Sequence, residues 1–200
     1  MLEPAGGGNT PPHSSWLHKA SGTGLLASIF FLFTGVAALA AGPSDLGLAI
    51  ILSAAVLVSA LIVLTVVDIQ THRLPDVVTL PLVGLGLIAT WLLDEQLLLA
   101  HILGAAIAYL VLAAIAVCYR YLRGEVGLGG GDIKLFAAGG AWVGPQGLPS
   151  VLLIATGIAL IAALVGHFMG HETTARSRIA FGPFLAAGIW LVWLFQKAVG

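Results

Sequence analysis

The chain has 200 residues, 59% of them hydrophobic and 8% charged, with a formal net charge of −1 and a mean hydropathy of +1.05. A soluble domain carries about 25% charged residues, so this chain lacks the charge to cover a water-facing surface, and lipid is its main solvent. The absence of any basic run or basic–aromatic cluster excludes a nucleic-acid interface, and a single cysteine, Cys118 in an apolar run, excludes an internal disulfide framework and a CxxC metal site.

Residues 1–22, MLEPAGGGNTPPHSSWLHKASG, are polar and rich in Gly, Pro and Ser, which predicts a flexible cytoplasmic tail with Trp16 at the membrane interface. The rest, 23–200, reads as one integral-membrane domain. Its apolar runs lie at 24–41, 47–67, 77–93, 97–118, 135–144, 150–169 and 180–196. Most are about 17 to 22 residues long, enough to cross a hydrocarbon core of about 30 Å as helices. The short fifth run predicts a tilted or half-buried helix sheltered by its neighbours. Turn signals separate the runs: GPSD at 42–45, HRLPD at 72–76, LDEQ at 93–96 and GPQGLP at 144–149. The first run follows Lys19 and ends in ALA at 38–40, like a cleaved secretory signal. Its length, and the runs that follow it, favour a retained helix. The expectation is an all-α polytopic membrane bundle of about seven helices.

The positive charges orient it. Let each run cross once. Lys19 lies in the first tail, Arg73 in the third connection, Arg120, Arg123 and Lys134 in the fifth, and Arg176 and Arg178 in the seventh. All of these fall on one side, which the positive-inside rule makes the cytoplasm. Lys197 is the exception, at the outer C-terminal end. The expected topology therefore has the N-terminus on the cytoplasmic side.

Of the carboxylates, Glu3, Asp45, Asp94, Glu95, Glu125 and Glu172 lie in tails or polar loops, where plain solvation is expected. Asp68 directly follows LIVLTVV and ends the second run. Asp132 directly precedes IKLFAAGGAWVG and opens the fifth. The charge alternation puts both at the cytoplasmic boundary, at similar depth. An ionisable residue at a membrane edge costs free energy and marks a functional position. Each also has a plainer reading. Asp132 suits the first turn of a helix, capping free N–H groups. Asp68 sits at a helix carboxyl end, where the dipole opposes it, and solvation in the loop would relieve that. Asp76, after Pro75, suits a cap of the third helix.

As a pair the two are more specific. Two carboxyl groups in a confined, partly dry site share one proton at moderate pH. One then activates water as a base while the other polarises a carbonyl as an acid, which is aspartic-protease chemistry. It requires no metal, no cofactor and no nucleophilic Ser or Cys. The glycines Gly129, Gly130 and Gly131 beside Asp132 offer room for a peptide, since glycine accepts φ > 0 and carries no side chain.

At these residues the chain resembles a known family. A GxGD pattern stands at Gly129-Gly130-Gly131-Asp132, followed by Ile133, Lys134 and Leu135. Asp68 opens VVDIQTHRLPDVVTLPL, and IAFGPFLAAG runs from Ile179 to Gly188. Together these look like the type IV prepilin peptidases, GxGD aspartic proteases of the membrane, over roughly residues 47–200. The resemblance implies a polytopic inner-membrane enzyme that cleaves the leader of prepilins or pseudopilins at the cytoplasmic face, with Asp68 and Asp132 as the catalytic pair. It also draws Pro75, Asp76, Gly129, Gly130, Gly131 and Lys134 into the active-site region. Long members carry two CxxC pairs and also methylate the new N-terminus. With Cys118 alone, this chain looks like the short, peptidase-only form.

Other residues have simpler expectations. Lys134, two positions after Asp132, faces elsewhere on the helix and suits snorkelling to the interface. His72 and Arg73 set topology. His167 and His171, four apart, are too few for a metal site. Gly140 and Gly144 suit close helix packing, and Gly182-Pro183 shapes the start of the last helix. Beside the prepilin peptidase stand two further readings: a GxGD protease with another membrane substrate, and a transporter or assembly factor whose Asp pair marks an ion path.

Overall fold

The computed structural model describes residues 45–72, 74–125, 127–169 and 181–199. The predicted tail and the first apolar run, 24–41, lie outside the described residues, as do Arg73, His171, Arg176 and Arg178. Five helices follow in order: α1, Asp45–Thr71; α2, Asp76–Leu93; α3, Leu98–Arg123; α4, Gly130–Phe168; and α5, Gly182–Val199. A 3-10 turn, Glu95–Leu97, leads into α3, and Asp94 Oδ1 caps it by accepting from Gln96 N at 3.0 Å. Asp94 thus does more than sit solvated in a loop.

All five helices are long and apolar enough to cross a membrane. Their outward faces carry Leu110, Val117, Leu122, Leu160 and Phe195, each more than half exposed. Such a surface is stable only against lipid. Cys118 lies exposed among these residues. The protein is a multi-pass helical bundle.

The fifth and sixth runs do not flank a loop. Both belong to α4, and the GPQGLP segment continues the helix on either side of one residue, Gly144, at φ 68 and ψ 177. Only glycine takes that backbone at little cost. Pro145, lacking an N–H, then opens the second arm where no intrahelical donor is needed.

The arms run in opposite directions, as their register along α5 shows. On the first arm a Cβ at Gly139 would lie 2.8 Å from Ile189, and the Val143 carbonyl accepts from Gln196 Nε2 at 3.0 Å. On the second arm a Cβ at Gly147 would lie 3.1 Å from Val192, and one at Gly188 would lie 2.7 Å from the Val151 carbonyl oxygen. The chain therefore climbs α5, reverses at Gly144 and descends. The two runs remain separate passes, joined by a one-residue reversal.

The short first arm is the centre of the bundle. Every residue from 135 to 144 is buried, so it needs no polar face. It crosses α3 where two glycines meet: a Cβ at Gly104 would fall 2.8 Å from the Gly140 carbonyl oxygen. Small residues at such a crossing let backbones approach, the main source of helix association in lipid. Trp142 packs into the notch at Gly86 of α2 and donates its indole N–H to the Leu82 carbonyl at 2.9 Å. It meets Trp193 edge-on at 6.3 Å, and Trp193 stacks on Trp190 at 5.5 Å. Three helices are thereby locked around the arm that carries Asp132.

Candidate active site

Asp68 lies in the last turn of α1, which continues past the predicted end of its run to Thr71. The helix closes when His72 N donates to the Asp68 carbonyl at 2.8 Å, with His72 itself left-handed at φ 51. Histidine is among the side chains that tolerate this region. The Asp68 side chain is not solvated: the residue is 5% exposed. Its own helix dipole opposes a negative charge there. The amino end of another helix answers this, because Gly182 N donates to Asp68 Oδ2 at 3.1 Å.

Asp132 is in the first turn of α4, and its N–H donates to the Gly129 carbonyl at 3.1 Å. The first turn of α4 packs against Leu74 and pairs Lys134 with Asp76, which puts Asp132 at the Asp68 end of the bundle. The bundle thus brings both predicted carboxylates to one end, half-buried in one case and buried in the other.

The glycines before Asp132 act differently from the expectation. None of Gly129, Gly130 and Gly131 has a positive φ, and α4 already starts at Gly130, so no left-handed glycine turn precedes Asp132. Gly131 is needed for close approach: a Cβ there would lie 2.6 Å from the Cβ of Leu74, the buried residue before Pro75. A Cβ at Gly129 would lie 3.1 Å from Asp132 Oδ2. Gly130 alone of the three has open space beside it. The open space is therefore at Gly130, while Gly131 holds the α1–α2 connection against α4.

Asp76 is not the cap of α2. Pro75 occupies that position with no side-chain cap, and its carbonyl accepts from Val78 N at 3.1 Å and Thr79 N at 3.2 Å. Asp76 instead takes Lys134 Nζ at 2.6 Å from each carboxylate oxygen, with the two side chains 54% and 33% exposed. Lys134 therefore does not simply snorkel. α2 begins opposite the first turn of α4 and offers a carboxylate within its reach. At this exposure the pair adds about 0–1 kcal/mol, but it ties the two segments that flank the carboxylates.

His72 is exposed beside this end. The His167 side chain lies outside the described residues. Among the described residues no group of three or more His, Cys, Asp and Glu is placed to hold a metal ion. Two contributors were not singled out for the site: Leu74, and Gly182 as a partner of Asp68. The FGP segment was the visible trace of the second.

Residues 55–165 match the type IV leader peptidase family, a span that contains both Asp68 and Asp132. The chain is 40% identical over 157 residues to a prepilin leader peptidase/N-methyltransferase of Pectobacterium carotovorum subsp. carotovorum, covering 78% of this chain and 56% of that protein. It is 42% identical over 153 residues to the protein of the same name from Burkholderia pseudomallei strain K96243, covering 74% and 46%. The Neisseria gonorrhoeae protein of that name is 39% identical over 153 residues, covering 75% and 51%. The chain spans about half the length of these curated relatives. No solved structure matches it significantly. With its membrane helices, its two carboxylates and more than half its length inside the matched segment, the chain belongs to the type IV leader peptidase family.

Proposed function

We propose that the protein is a membrane aspartic endopeptidase that removes the leader of prepilins or pseudopilins at the cytoplasmic boundary of the bacterial inner membrane. What supports this reading most is that Asp68 and Asp132 lie at one end of a helical bundle, with Asp68 held by the start of α5. Family membership and the relatives' names support the substrate class. The lysine and arginine count supports the sidedness: Arg120, Arg123 and Lys134 lie at the Asp68 end, and Lys197 lies at the other.

The substrate's apolar segment packs beside the lipid-facing helices, which leaves the leader junction level with the two carboxyl groups. The pair holds one water and shares one proton. The ionised member takes a proton from the water as the oxygen attacks the scissile carbonyl carbon. The protonated member donates to the carbonyl oxygen, giving a neutral tetrahedral gem-diol. Collapse breaks the C–N bond, the amine leaves with a proton, and the shared proton of the pair is restored. The residues present supply every step.

The test is cleavage of a prepilin in membranes. Asp68→Asn and Asp132→Asn should each abolish cleavage while the protein still accumulates. Near-normal cleavage by either variant removes that residue from the mechanism. A panel of leader peptides in the same assay defines the substrate class, and indifference to the leader junction would contradict a prepilin substrate.

A further inference from the structure

Gly182 approaches Asp68 more closely than any side chain would permit. A Cβ at this position would fall 2.6 Å from Asp68 Oδ2, 3.0 Å from its Cγ and 3.4 Å from its Cβ. The backbone is not what demands glycine here, because Gly182 is not among the residues with positive φ. What excludes a side chain is the carboxylate itself.

The free donors of the helix end lead to the same group. A helix leaves its first N–H groups without intrahelical partners. In α5, Phe184 N and Leu185 N both donate to the Phe181 carbonyl at 3.1 Å, and Pro183 has no N–H. The remaining donor of the turn is Gly182 N, and it goes to Asp68 Oδ2. Among the described residues this is the hydrogen bond that the Asp68 side chain makes. At the end of α1 that carboxylate would otherwise be oriented by an opposing dipole alone.

We propose that Gly182 is a positioning residue for Asp68. Its N–H anchors Oδ2, and its missing side chain lets the carboxylate sit over the start of α5, so the other oxygen has one fixed direction in which to hold water. The inference rests on the reading of Asp68 and Asp132 as a catalytic pair. It gives the FGP segment a chemical task in addition to starting a helix. Among the described residues, the charged and titratable groups nearby are Asp132 and Lys134 of α4, Asp76 of α2 and His72 at the end of α1, and the first turn of α5 adds none.

Full-length protein in detergent or lipid, assayed with a synthetic prepilin fragment, tests this. Gly182→Ala should lower kcat by about 10- to 100-fold, as small misplacements of catalytic groups do, with KM within about twofold. Gly188→Ala is the control, because its Cβ would also be crowded, 2.7 Å from the Val151 carbonyl oxygen, on the same helix but away from Asp68. It should lower Tm and leave kcat within about threefold. A second variant replaces Gly182 with glycolic acid, which turns the amide into an ester and removes the N–H without adding bulk. It should lower kcat about tenfold, the usual scale for a hydrogen bond to a charged group, and this result decides the matter if the alanine variant does not fold.

A wild-type kcat in the ester variant overturns the proposal. So does a loss of kcat in Gly182→Ala that Gly188→Ala matches in proportion to lost Tm. Asp68→Asn is run alongside. If it cleaves normally, the paired-aspartate reading fails, whatever Gly182 does. If it is inactive and the Gly182 variants are normal, only the positioning role fails.

Discussion

The two ends of the bundle both collect polar groups, but they handle them in different ways. At the end where α2 gives way to α3, His101 and Asp94 each have a local partner. His101 Nδ1 lies 2.9 Å from the Ala141 carbonyl and 3.0 Å from Thr90 Oγ1, and Asp94 caps its own 3-10 turn. A carbonyl only accepts, so the proton is on Nδ1, and His101 secures the arm just before it reverses at Gly144. At the other end lie Asp68 and Asp132, and the groups around them come from α1, α2, α4 and α5. The His101 end shows how a membrane protein satisfies polar groups for stability. The Asp68 end brings two carboxyl groups to one place, which stability does not call for.

Substitutions can break or sharpen this contrast. The largest effect is expected from Asp68→Asn and Asp132→Asn, each lowering leader cleavage by about 10³-fold or more with normal accumulation. Asp94→Asn should leave cleavage within about twofold. Next comes packing at the helix crossing. In Gly104→Ala the new methyl meets the Gly140 carbonyl and the Gly144–Pro145 turn. This should cost about 1–3 kcal/mol, read as a lower Tm in detergent, with kcat retained in the protein that stays folded. His101→Ala removes a half-buried donor and leaves the Ala141 carbonyl short of a partner, a loss of about 1–3 kcal/mol. Thermal stability should fall while kcat/KM stays within about threefold. The smallest effect is expected at the half-exposed ion pair. Lys134→Met or Asp76→Asn should change stability by about 0–1 kcal/mol. Any difference from wild type should shrink as salt is raised, since screening weakens exposed pairs.

Much of this was legible in the sequence, for definite reasons. Bilayer thickness sets helix length, so the runs at 47–67, 77–93, 97–118 and 180–196 each became one helix. Carboxylates at a membrane edge are costly, which is why Asp68 and Asp132 stood out before any geometry was known. What the sequence hid depends on register between segments far apart in the chain. The Asp68–Gly182 bond spans 114 positions and the Lys134–Asp76 pair spans 58. Neither partner carries a local signal of the other. Asp76 looked like a cap because it follows Pro75, yet the first turn of α4 brings a lysine within reach. GPQGLP looked like a loop because it holds two prolines and two glycines. In fact Gly144 alone makes the reversal, and both prolines sit inside helix. The glycines at 129–131 read as room for a peptide, and only contact with Leu74 reveals why Gly131 has no side chain.

The central claim is that Asp68 and Asp132 act as one unit. The most direct measurement is the rate of leader cleavage by Asp68→Asn, Asp132→Asn and the double variant, in membranes with matched protein levels. A shared-proton pair predicts that each single variant loses as much as the double, because removing either carboxyl group ends the exchange. Losses that multiply in the double variant, or a single variant that cleaves at near wild-type rate, would contradict it.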